Sequence, residues 1–117
     1  MSNLELVDSL CEVSIPLREA KRVHLLAYGT LVPHIFMADV LKRIGGLLVA
    51  GAANALETHR SEIRGIADVL ERGMVEGDRE TRNVIAISFT RDSEVELFFD
   101  ELVPLLGPRT RAQLHGK

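Results

Sequence analysis

Four histidines, one cysteine and a few close carboxylate pairs are the residues of this chain with the means to react or to hold a ligand. His24, His34, His59 and His115 are scattered, and none has a second histidine at the spacing that puts two ligands on one helix face. His59 and Glu62 lie three apart and share a face, but two ligands are too few for a metal site, and none is expected. His34, beside Pro33, reads as a partly buried histidine bonded to a backbone carbonyl. The pairs Glu76–Asp78, Glu94–Glu96 and Asp100–Glu101 would suit general acid–base work only if held facing one another across a cleft. They fall at helix starts and on polar faces, where carboxylates complement the helix dipole. Cys11 stands alone, so no internal disulfide can form, and nothing nearby supplies the base that an activated thiol needs. It reads as a small core hydrophobe. No phosphate-cradling glycine loop, HExxH, CxxC or nucleophile elbow is present. The expectation is a protein that is not an enzyme and carries no cofactor.

Asp39 is the carboxylate that stands out. It interrupts a nearly continuous apolar helix, so it needs exposure or a partner. Arg43, one turn on, is one candidate, and an arginine from a neighbouring helix is the other. Asp39 is then either a hydrogen-bonding strut or a contact for a binding partner.

The elements that must place these residues read as five or six helices. Ser2 and Glu5 have capping-box spacing, and Leu4, Val7, Leu10 and Cys11 share a face. Pro16 begins a second helix with a stripe of Leu17, Ala20, Val23, Leu26 and Ala27, and Gly29 stops it. Pro33 to Leu48 is apolar over most of its circumference, which marks a central helix. Gly51 to Asn54 reads as a loose connection. Thr58 to Glu76 is amphipathic, with Ile63, Ile66, Ala67, Leu70 and Met74 inward and Arg60, Arg64, Asp68, Glu71 and Arg72 outward. Gly77 ends it, and Asp78 caps the next segment. Residues 84–89 are ambiguous. Their β-branched run suits a buried strand, but a strand with no partner is a poor fold, so helix is favoured. Ser93 to Glu96 opens a further helix, and Gly107-Pro108 precedes a last short turn over Arg109 to Leu114. The expected fold is a single all-α domain over residues 1–117, a bundle of five or six helices with HEAT-like helical pairs as one arrangement.

At 12.9 kDa, with 46% hydrophobic and 26% charged residues, the chain has the makings of one self-supporting core. The net charge of −3 argues against a nucleic-acid binder. Its distribution says more. Residues 1–67 balance seven acids with seven bases, residues 68–101 hold ten acids and four bases, and residues 102–117 hold three bases and no acid. The acidic segment suits contact with a basic protein. Phe98 and Phe99 cannot both point the same way on a helix, about 100° separating neighbours, so an exposed Phe99 can anchor such a contact inside a rim of Glu96, Asp100 and Glu101. The N-terminus has no basic stretch followed by an apolar one, and Ile44 to Leu56 is too short and broken to span a bilayer, so a cytoplasmic chain is expected.

Three segments taken in order, Leu31-Val32-Pro33 through Asp39, Gly77-Asp78-Arg79 through Phe89, and Leu106-Gly107-Pro108-Arg109-Thr110-Arg111, carry a resemblance. Over roughly residues 30–112 the chain resembles a family of small helical bacterial proteins with an LPxxxxxD helix, an amphipathic helix closing on EGD, and an LGPxSR-like tail. Asp39 matches the acid of the first motif, Asp78 that of the second, and Gly107-Pro108 the tail. The chain departs from the pattern at Gly45-Gly46 and Gly51-Ala52-Ala53, and it lacks the aromatic residues of the family's C-terminal region. Members look like immunity proteins of polymorphic-toxin or contact-dependent inhibition systems. The resemblance implies a cognate toxin C-terminal domain as the protein partner, with a nuclease as the toxin the acidic segment suits best. The residues expected to meet it are Asp39, Glu71, Glu76, Asp78, Glu80, Glu96, Phe99, Asp100 and Glu101. The alternative is a helical adaptor or regulator that binds a peptide or forms a homodimer through Ile44 to Leu56.

Overall fold

Ser2 fixes the start of the first helix. Its hydroxyl accepts from the Glu5 amide, and the Glu5 carboxylate accepts from the Ser2 amide, closing the capping box that starts α1 (Asn3–Val13). The computed structural model describes residues 1–54, 57–88 and 103–115. Ser14 ends α1 and also caps α2 (Ile15–Tyr28), its hydroxyl accepting from the Leu17 amide. Pro16 occupies the first turn of α2, where its missing N–H is harmless. Gly29 closes α2 with a φ of 74°, a left-handed conformation that other residues adopt only at a cost, and its amide donates to the Leu25 carbonyl.

The remaining helices are α3 (Pro33–Asn54), α4 (Glu57–Glu76), α5 (Arg79–Ser88) and α6 (Pro108–His115), with a 3₁₀ turn over Val103–Leu105 before α6. The described residues thus form six α-helices and no strand. The β-branched run is helical through Ser88, because Val84 and Ile85 can share one buried face of α5. Phe89 and the helix expected from Ser93 lie outside the described residues. The loose connection expected at Gly51 to Asn54 is instead the last turn of α3, which runs through Gly45-Gly46 without a break. Side chains on either side of that pair explain the continuity: Ile44 and Leu47 are both buried and hold the helix through its weak turns.

One contiguous apolar cluster reaches from Leu6 to Leu106. α1 supplies Leu6, Val7, Leu10 and Cys11. α3 supplies Phe36, Met37, Val40, Leu41, Ile44 and Leu47. α4 supplies Ile63, Ile66, Val69, Leu70 and Met74. Cys11 is buried, as its apolar setting predicts, and burial pushes its thiol up from the ordinary value. Consecutive helices pack on one another, but α1 also lies against α4 and α5. That closure makes a bundle rather than an open stack of HEAT-like pairs. Because Ile44 and Leu47 are core residues, the homodimer face expected at Ile44 to Leu56 is not available at those positions.

α2 departs most from its sequence pattern. Leu17 is buried and Ala20 is half-buried, but Val23, Leu26 and Ala27 are exposed, and His24 takes the inward position. Leu4 and His34 are likewise exposed rather than inward.

Candidate partner-binding surface

The acidic residues singled out in the sequence do different jobs in the structure. Asp39 is half-buried on α3, and Arg43 does not serve it. Arg43 crosses to α4 and donates from Nε and Nη2 to the two carboxylate oxygens of Glu62, at 2.7 and 2.8 Å. Glu62 Oε2 also accepts from the Ser14 hydroxyl at 2.7 Å. One carboxylate therefore joins the α1–α2 junction, α3 and α4. Two-pronged arginine–carboxylate contacts are the strongest of such pairs, and Glu62 is well shielded from water here. Glu62 is thus committed to structure. Among the described residues no three His, Cys, Asp or Glu side chains come together as a metal would require.

Glu71 is also turned inward. Its carboxylate accepts from the Arg109 amide at 3.0–3.1 Å, and from the Thr110 amide and hydroxyl, each at 3.0 Å. It is the N-terminal cap of α6, supplied from a helix almost forty residues away. Burial raises its pKa, but the hydrogen bonds from Thr110 and Arg109 outweigh that, and the carboxyl sits below its ordinary range. Gly107 makes the approach possible, since a Cβ there would fall 2.5–2.6 Å from Glu71 side-chain atoms.

Glu76, Asp78 and Glu80 meet at the α4–α5 corner, and all three are exposed. Asp78 Oδ1 accepts from the Thr81 amide at 2.8 Å and caps α5, which lowers its pKa. The first residue of the chain locks the corner. The Met1 ammonium donates to the Glu76 carbonyl at 2.8 Å, and the Met1 carbonyl accepts from the Asp78 amide and the Thr81 hydroxyl at 2.9 and 3.1 Å. The carboxylates of Glu76 and Glu80 thus project from a fixed backbone.

The surface around them is of mixed sign. Arg72, Arg79, Arg82 and Arg109 are exposed, and Arg79, Arg82, Arg109 and Glu80 line a cleft of about 870 Å³ between α5 and α6. Most of the acid excess of residues 68–101 belongs to residues 89–101, with five acids and one base. Glu96, Phe99, Asp100 and Glu101 fall there, outside the described residues. Of the remaining candidates, the structure groups Glu76, Asp78 and Glu80, and sets Glu71 and Asp39 on other parts of the bundle.

Two features of α2 escaped the sequence pattern. His24 is buried, and its Nε2 accepts from the Val32 amide at 2.9 Å. Its ring tilts against Tyr28 and meets Phe36 edge-on, at centroid distances of 4.8 and 5.9 Å. The seven-residue interval from Leu17 was the available signal. On the opposite side, Ile15, Val23 and Leu26 are exposed. No known protein family, curated protein or solved structure matches the chain.

Proposed function

We propose that the protein is a non-enzymatic inhibitor of the immunity type, acting in the cytoplasm on a cognate toxin C-terminal domain and occluding its active site or substrate groove. The observation that supports this reading is the α4–α5 corner. Glu76 and Glu80 stand exposed on backbone tied down by Met1, Asp78 and Thr81, so little ordering is needed when they meet a partner. A rigid acidic contact suits the basic groove of a nuclease, and attraction between the two speeds their encounter. Arg72, Arg79 and Arg82, interleaved with the acids, would fix the register of the contact. Glu71 and Asp78 then act as caps that hold the surface in shape, while Glu96, Phe99, Asp100 and Glu101 extend it in sequence.

The experiment is to co-express the chain with the toxic domain encoded beside its gene, score growth, and isolate the pair. Rescue with a one-to-one complex supports the reading. Glu76→Lys, Glu80→Lys and Glu96→Lys combined should then weaken the complex about 10- to 100-fold, chiefly through slower association. Unchanged affinity removes the acidic surface from the mechanism, and persistent toxicity with folded protein and no complex removes the inhibitor.

A further inference from the structure

α2 carries two faces with different uses. Leu17 and His24 point into the bundle, and helical geometry puts Ile15, Glu19, Arg22 and Leu26 on the side directly opposite, within an arc of about 60°. Ile15 and Leu26 are each 74% exposed, which is unusual for large aliphatic side chains placed one above another on a helix. Between them Glu19 and Arg22 form an exposed pair on the same face. The intervals of four, three and four residues are those of a coiled-coil seam.

The order along that seam is apolar, acid, base, apolar. Run in reverse, it is apolar, base, acid, apolar. We propose that two copies of this chain associate through the outward face of α2, antiparallel about a two-fold axis passing between residues 20 and 21. In that arrangement Ile15 meets Leu26 of the second copy, and Glu19 meets Arg22 of the second copy, each contact occurring twice. A parallel arrangement would instead set Glu19 against Glu19 and Arg22 against Arg22, so the charges select the antiparallel one. Val23 and Pro16 lie exposed along one flank, and the two-fold axis brings that flank of each copy together. An unrelated partner would have no reason to match a pattern that is complementary to itself. The 14 residues of α2 span about 21 Å, so the interface is small and the dimer is a reversible one. This inference is independent of the inhibitor reading, since its surface is α2 and not the α4–α5 corner.

Sedimentation over about 1 µM to 1 mM tests it, a range suited to a small interface. Wild type should pass from 12.9 kDa to twice that mass as concentration rises. Glu19→Arg, which sets base against base, and Arg22→Glu, which sets acid against acid, should each remain monomeric, with unchanged far-UV circular dichroism. Mixed one to one, the two variants should associate again, because one chain then offers two bases and the other two acids. Both variants lose the intrachain Glu19–Arg22 pair equally, so a purely structural role for that pair gives no recovery on mixing. Wild type that stays monomeric throughout, single variants that still dimerise, or a mixture that stays monomeric would each overturn the proposal.

Discussion

Arg43 on α3 grips Glu62 on α4 with two parallel hydrogen bonds, and the same carboxylate holds the hydroxyl that starts α2. Removing either side chain takes two hydrogen bonds from the other in a partly shielded site. Arg43→Ala and Glu62→Ala should each destabilise the fold by about 1–3 kcal/mol. The double variant should lose less than the sum, and a double-mutant cycle in denaturant measures the difference. Additive losses would show that the pair carries no coupling.

Glu71 ties acid sensitivity to α6. Its carboxyl is depressed in the folded state, so its stabilisation is fully present above the ordinary glutamate value of 4.5 and is lost as pH falls through the lower, folded value. Glu71→Gln should therefore flatten the acid limb of a stability–pH profile. At neutral pH it should cost about 0.5–2 kcal/mol, the scale of a helix cap. An unaltered acid limb would contradict the capping role.

Gly107 should behave as the partner of Glu71 in packing. Gly107→Ala puts a methyl group 2.5 Å from the Glu71 side chain and should loosen α6. Adding Glu71→Ala should then cost little more, because the methyl group has already pushed the capping carboxylate away. Amide exchange at Arg109 and Thr110, read by NMR, reports both changes. Losses that simply add in the double variant would mean that the two residues act separately.

His24→Phe keeps an aromatic ring between Tyr28 and Phe36 but leaves the Val32 amide without its acceptor. The expected loss is about 1–3 kcal/mol. Equal or greater stability on thermal unfolding would show that ring packing alone accounts for this position.

Much of the bundle was legible where one residue type has one local use. Ser2 with Glu5, Pro16, Gly29 and Asp78 marked helix ends, and the three- and four-residue intervals of α4 marked its buried face. The errors arose where a distant partner outweighed a local one. Arg43 lies one turn from Asp39 but bonds Glu62, nineteen residues on. Glu71 has the spacing of a solvated residue and is claimed by an amide pair that no local pattern announces. α2 bears apolar residues on two sides, and sequence alone does not say which side the bundle covers. Counting His24 as polar favoured the wrong stripe.

The anchoring of Met1 at the α4–α5 corner has a consequence for the order of folding. Met1 bonds to groups 75 to 80 positions further on. Until α4 and α5 are in place that anchor has no site, and Leu6, Val7 and Leu10 of α1 are uncovered by α4. Closing so long a loop costs chain entropy before its contacts repay it, so the α1–α4 seam and the Met1 anchor form late and together.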